Sequence, residues 1–464
     1  MIHVLILIAL TRRIQIHLTL YFPKAVDAWI KSGDARGAER AEAVLTKCEE
    51  KYATTQKECY KVNPASYHNL MNAISRKGLE KVSWANDKDA GRRESLREYA
   101  EKTESIMRRM ETFSEDGDAD MRPNLVTYNC VISGYAKCGD ARKAEQLLNE
   151  MLQRDVVPNV MSYNCVIDAW SRSYEKGGAA RAESILNTMK EFKLEPDSFS
   201  YTGVIFAYTR SNDVGSADLA LDVLGRMEDA GLSNDSFVYN AILDKYAKSR
   251  QNDKVKKADV LLRKMVDKDV ANSVSFNTVM NLYAKSSSSG SVAAAEALLS
   301  RMESSEEYKP DVITYTSMID AITRSGEKNA PERAQAILER MMKLAKEGDE
   351  SVQPNTVTYN AVLYSWGTSG KVDAAKRTEK LLRQMEDKYE SGECEKARPN
   401  TISYTSVIDS YARSKSRDNA ISAERIFKRM EDTYAEGNHS AKPNVQSFNT
   451  GKCIRYVVEG KCAM

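Results

Sequence analysis

At nine points spaced 35 to 45 residues apart in the 464-residue chain an aromatic side chain is followed directly by Asn or Thr: Asn129, Asn164, Thr202, Asn240, Asn277, Thr316, Asn360, Thr405 and Asn449. Four residues before each of those aromatics stands Asn or Asp: Asn124, Asn159, Asp197, Asp235, Asn272, Asp311, Asn355, Asn400 and Asn444. A helix position that merely faces water would sample Lys, Glu, Gln and Arg. Columns held to short amides, hydroxyls and carboxylates point instead to hydrogen-bond recognition, since Asp when ionised only accepts whereas Asn also donates. A turn or capping preference is the competing explanation for both columns. For the Asn/Asp column the competitor weakens, because Ser or Thr directly before most aromatics is expected to fill the cap. Thr127 is the example.

Two further columns share this register. Two residues before the aromatic stand Val126, Met161, Phe199, Phe237, Val274, Ile313, Val357 and Ile402, all apolar. Nine residues after it come the cations Arg76, Lys137, Arg172, Arg210, Lys248, Lys285, Arg324 and Arg413, with Thr368 the exception. The apolar column could pack against the preceding unit. The cations could complement helix C-termini, worth about 0.3–1 kcal/mol each.

Other chemistries find little support. The 8 Cys form no C-x-x-C, and His3, His17, His68 and His439 lie near no ligand cluster, so neither zinc nor any other metal or cofactor is expected. A chain this long and charged is not a disulfide framework. Lys+Arg 68 against Asp+Glu 66 gives +2, so any polyanionic partner must be met by placed charge rather than bulk charge. Hydrophobic residues at 42% exclude a disordered tail. Residues 1–18 are basic and free of Asp and Glu, which fits an organelle transit peptide or an uncertain chain start. The apolar run there is too short to span a bilayer, so no membrane partner is expected.

The elements that must hold these columns come from a repeat. The anchoring aromatics are Tyr128, Tyr163, Tyr201, Tyr239, Phe276, Tyr315, Tyr359, Tyr404 and Phe448, at intervals of 35, 38, 38, 37, 39, 44, 45 and 44. Each unit predicts two helices. From 125, apolar residues at Tyr128, Val131, Ile132, Tyr135 and Ala136 define the first, Gly139-Asp140 breaks it, and Ala141, Ala144, Leu147, Leu148 and Met151 stripe the second. Neither helix buries its stripe alone, so the expected fold is all-α, a solenoid of stacked helical hairpins. The expected organisation is a degraded first repeat at 19–63 and a repeat with a long insertion at 64–124. Eight repeats follow at 125–159, 160–197, 198–235, 236–272, 273–311, 312–355, 356–400 and 401–444, then a truncated one with a non-repeat end at 445–464.

The [VI]-[TS]-Y-N opening (LVTYN at 125), the A-x-x-A-E-x-[LI]-L-x-x-M second helix and the closing P-[ND] resemble the pentatricopeptide repeat family from about residue 19 to 450. The resemblance implies a right-handed superhelix that binds single-stranded RNA, usually in mitochondria or chloroplasts, alongside other RNA-processing proteins. It implies that the Asn/Thr of each unit and the Asn/Asp closing it select one base together, and that the apolar column sandwiches the bases. The pairs are Asn129/Asn159, Asn164/Asp197, Thr202/Asp235, Asn240/Asn272, Asn277/Asp311, Thr316/Asn355, Asn360/Asn400 and Thr405/Asn444. They imply 5′-Y-U-G-Y-U-A-Y-A-3′, with Y a pyrimidine; the unit carrying His68 is off-code. The cations then form a ladder along the phosphates. A protein-binding scaffold is the alternative such an architecture permits, and the monotony of the Asn/Thr column argues against it. A relative of the repeat region of protein-only ribonuclease P is a second alternative. The chain stops inside a repeat, with no acidic cluster and no H-x-E with P-C-x-x-C, so catalysis is not expected. The acidic residues of the second helices are expected to be solvated.

Overall fold

A computed structural model describes residues 22–32, 36–55, 60–81, 90–116, 118–233, 235–286, 290–413, 417–444 and 447, and among them every regular element is helical. The segment 1–18, Phe448, Asn449 and the end from 451 lie outside the described residues. The chain divides into two compact units, residues 1–234 and 235–464. In the first, lead and following helices alternate: α1 (Phe22–Lys31), α2 (Gly37–Thr55), α3 (Pro64–Lys81), α4 (Ala90–Glu115), α5 (Leu125–Cys138), α6 (Ala141–Gln153), α7 (Val160–Ser173), α8 (Gly178–Glu191), α9 (Ser198–Arg210) and α10 (Ser216–Asp229). The second continues with α11 (Ser236–Lys248), α12 (Lys254–Asp267), α13 (Ser273–Lys285), α14 (Ser291–Glu303), α15 (Val312–Ser325), α16 (Ala330–Lys346), α17 (Thr356–Thr368), α18 (Ala374–Glu390), α19 (Thr401–Ala412) and α20 (Arg417–Ala435).

Within each unit the odd-numbered helices pack on one another in sequence, and following helices pack on their own lead helix and on the next. The repeated sequence explains this. Every described anchor, from Tyr67 to Tyr404, is at most 2% exposed. Ala144, Ala182, Ala220, Ala258, Ala295 and Ala334 are fully buried, so paired helices approach closely. The Met that closes each second-helix stripe (Met151, Met189, Met227, Met265, Met302, Met341, Met385) is also buried, where its unbranched thioether fills the irregular gap between hairpins. Gly139 ends α5 at φ 77°, and a Cβ there would stand 2.8 Å from the Arg172 carbonyl oxygen, so only glycine fits both the turn and the approach.

The longer repeats do not carry their extra residues as plain surface loop. Helices α16, α18 and α20 gain about a turn over the 13–14 residues of α6 and α8, and 3-10 turns at Glu350–Val352, Glu395–Ala397 and His439–Ala441 bury Val352, Ala397 and Ala441.

The acidic residues of the following helices are not the solvated face the sequence led us to expect. The hydroxyl of Tyr135 donates to Glu104, Tyr208 to Glu183, Tyr283 to Asp259 and Tyr411 to Glu379, each reaching back from a lead helix to the following helix of the repeat before. Trp170 Nε1 makes the same bond to Glu145 at 2.9 Å. An arginine of the next following helix often shares that carboxylate, as Arg226 does with Glu183 and Arg425 with Glu379. Burial and the neighbouring carboxylate hold the Tyr208 phenol well above its usual range. The excess of Tyr over Phe, 23 to 9, thus has a cause: a ring that fills core and a hydroxyl that ties neighbouring repeats. Removing only the hydroxyl, Tyr208→Phe, is expected to lower the unfolding free energy by about 1–3 kcal/mol, the worth of a bond to a charged acceptor. Urea titration checks this, and a loss below about 0.3 kcal/mol would reduce Glu183 to an ordinary surface pair with Arg226.

Candidate nucleic-acid interface

The helix starts reassign the caps. Asn124, Asn159, Asp197, Asp235, Asn272, Asp311, Asn355 and Asn400 are themselves the N-caps of α5, α7, α9, α11, α13, α15, α17 and α19, each accepting backbone N–H bonds from the first turn. Asn444 accepts the N–H of Ser447 at 2.8 Å in the same manner. Thr127 is therefore not the cap. It is the third helical residue, and its hydroxyl accepts the Asn124 N–H at 3.2 Å to close a capping box. The sequence allowed both placements because Asn and Thr are both good caps three residues apart.

This has a chemical consequence for the Asn/Asp column. Capping commits Oδ1 to the helix backbone. The second atom of the side chain then differs in kind: Nδ2, a donor, for Asn, and Oδ2, an acceptor, for Asp.

The two polar columns meet across repeat junctions. Nδ2 of Asn129 donates to Asn159 Oδ1 at 3.4 Å, Asn164 to Asp197 at 3.0 Å, Asn240 to Asn272 at 3.1 Å and Asn360 to Asn400 at 3.2 Å. Asn277 Nδ2 reaches both Asp311 oxygens, at 3.1 and 3.0 Å. Five pairs inferred from sequence are thus in contact. Thr316 bonds Thr358 instead (2.8 Å), and Thr405 donates to the Thr401 carbonyl of its own helix (2.6 Å). Thr202 and Asp235 belong one to each compact unit. Asn129, Asn277 and Thr405 are buried and Asn164, Thr202, Asn240, Thr316 and Asn360 half-buried, so the column has a structural reason for its monotony that the sequence did not disclose.

The apolar column lies outside the core. Val126, Met161, Phe199, Phe237, Val274, Ile313, Val357 and Ile402 are all exposed, from 49% at Val126 to 80% at Phe199. Each is the second residue of its lead helix, one residue before a buried or half-buried Ser, Thr or Val and three before the Asn/Thr. One exposed apolar side chain per repeat, in fixed register beside a polar pair, is a surface arranged to be covered.

The cations sit at the far ends of the same helices, and they divide into two groups. Half-buried Lys137 donates to Ser75 Oγ at 2.8 Å, and burial pulls its ammonium below the usual lysine range. Arg172 pairs with Asp168 at 2.9 Å and Arg210 reaches Ser171 Oγ at 3.1 Å. Lys248 is exposed but pairs with Asp244 one turn back. Arg76, Lys285, Arg324 and Arg413 are exposed. Among the described residues no three His, Cys, Asp or Glu side chains converge as a metal site would require, and no helix is long and apolar enough to cross a membrane.

Profiles of the PPR repeat family match residues 123–172 and 271–324, and profiles of the pentatricopeptide repeat domain match residues 184–249 and 298–369. The chain belongs to the pentatricopeptide repeat family. Its fold is similar to the crystal structure of the pentatricopeptide repeat protein PPR10 from maize, at 23% identity and a TM-score of 0.53, over 99% of this chain and 66% of that one. The chain thus spans just under two thirds of that protein's length. Crystal structures of PPR10 in complex with an 18-nt psaJ RNA element align at 18% identity and a TM-score of 0.36, over 96% of this chain and 61% of theirs. No curated protein matches the chain.

Within this pentatricopeptide repeat chain, sequence reasoning missed two groups. One is the Ser or Thr at the third helical position, which the sequence offers equally well as a cap. The other is the acidic residue of the following helix that accepts from the Tyr or Trp of the next repeat, 24 to 32 positions further on, as Glu183 does from Tyr208.

Proposed function

We propose that this protein binds single-stranded RNA one base per repeat, without catalysis, metal or cofactor, and acts in organellar RNA metabolism such as processing, stabilisation or translation. The exposed apolar column carries the reading. A hydrophobic side chain flanking each polar pair gives every base a surface to stack on and an edge to bond, which is how unpaired RNA bases are recognised. Where the closing residue is Asp, the remaining acceptor capacity of its second oxygen suits the ring N–H of uracil or guanine; where it is Asn, the donor suits the bare ring nitrogen of cytosine or adenine. The eight pairs then specify 5′-YUGYUAYA-3′. The exposed cations Lys285, Arg324 and Arg413 follow the phosphates, and those tied to Asp or Ser contribute less.

Selection from a random single-stranded RNA pool tests this. The expected product is an enriched segment with uracil at the second and fifth positions and guanine at the third. Binding should weaken with salt at a log–log slope of about −0.7 per neutralised phosphate, and Lys285→Gln with Arg324→Gln should flatten that slope by about 1.4. A pool enriched in duplexes, or in no sequence at all, would sink the proposal.

A further inference from the structure

The Ser or Thr at the third position of each lead helix makes a contact that capping does not need. Ser162 Oγ accepts the Asn159 N–H at 3.2 Å, so its acceptor side serves the capping box. Its one hydrogen has two acceptors in reach, the cap's own Asn159 Oδ1 at 3.1 Å and, nearer, Asn129 Oδ1 of the preceding repeat at 2.7 Å. The same contact joins Ser200 to Asn164 (2.6 Å), Ser275 to Asn240 (2.7 Å), Thr314 to Asn277 (2.5 Å) and Ser403 to Asn360 (2.7 Å). Even off-code His68 keeps it, with Nε2 2.7 Å from Thr127 Oγ1. Among the lead helices from α3 to α19, the one without a hydroxyl there is α11, whose third residue is Val238 and which lacks the capping box. The Asn/Thr residue of the repeat before it in sequence is Thr202, which has no amide to orient.

An Asn amide has two orientations related by a half-turn, which exchange a donor for an acceptor. We propose that the third-position hydroxyl is a specificity-positioning residue: it locks the amide of the preceding repeat's Asn so that a fixed donor and acceptor face the base. The inference rests on the modular base reading above. The lock has two parts, the hydroxyl on Oδ1 and the next cap on Nδ2. Where the cap is Asp, an acceptor-only carboxylate holds Nδ2 firmly. Where it is Asn, as at Asn129/Asn159 with its 3.4 Å contact, the hydroxyl is the stronger hold. The hydroxyls therefore matter most in the Asn/Asn repeats.

The test compares Ser162→Ala, Ser162→Thr and Ser200→Ala in the full chain, with binding measured to RNAs carrying each of the four bases at the nucleotides read by Asn129/Asn159 and Asn164/Asp197. Ser162→Ala should reduce pyrimidine-over-purine discrimination at its own nucleotide by about three- to tenfold, with neighbouring nucleotides discriminated as before. Ser162→Thr should restore it, and Ser200→Ala should lose less. Melting temperatures separate the cap from the lock. A Ser162→Ala protein that melts earlier yet discriminates as wild type would overturn the inference, leaving the hydroxyl a cap alone. A wild type that fails to discriminate at that nucleotide would overturn the base reading itself.

Discussion

Replacing Asp311 by Asn is expected to shift the preference at one nucleotide from uracil towards cytosine. Asn and Asp cap helices about equally well, so α15 keeps its start and the fold its stability. Oδ1 stays committed to the N–H groups of Ile313 and Thr314, which it accepts at 2.9 Å each. The contact with Asn277 survives in the form already seen between Asn240 and Asn272. What changes is the second atom, from an acceptor to a donor, and that is the difference between meeting the ring N–H of uracil and the bare ring nitrogen of cytosine. The shift in discrimination should be about 1–3 kcal/mol, or roughly 5- to 150-fold, the value of a good base-edge contact in duplex readout. Binding to RNAs with all four bases at that nucleotide measures it. Equal weakening for all four would show Asp311 to be a cap with no part in reading.

Removing one exposed ring should separate binding from stability. Phe199 is 80% exposed, so Phe199→Ala forfeits almost no core and should change unfolding stability by less than about 0.5 kcal/mol. If a base stacks on that ring, the same change should cost about 1–3 kcal/mol of RNA affinity, whichever base stands there, since every base has a face to stack. Titration of a fixed RNA into both proteins, with melting curves alongside, distinguishes the two quantities. An affinity that stays within twofold of wild type would leave the exposed apolar column without a ligand to explain it. Small Val126, at the other end of the exposure range, should show a weaker effect on truncation for want of a ring.

The hairpins, their register and the four columns of equivalent residues are legible in the sequence alone. Those follow from local periodicity: a stripe of apolar residues at helical spacing, a Gly or Pro break, and an aromatic that recurs every 35–45 residues. It could not decide which of two good capping residues, Asn124 or Thr127, lies outside α5. That depends on where the backbone leaves the extended region, and Asn124 sits there at φ −115°, ψ −177°. Nor could it show that Ser162 touches Asn129, or Tyr208 Glu183, because those contacts join residues 33 and 25 positions apart across a repeat junction. Only the stacking of one hairpin on the next brings them together. The same stacking decides exposure. Val126 and Val131 are alike in sequence, yet one stands half in solvent and the other is fully buried, because only the second lies on the side of α5 that its neighbours cover.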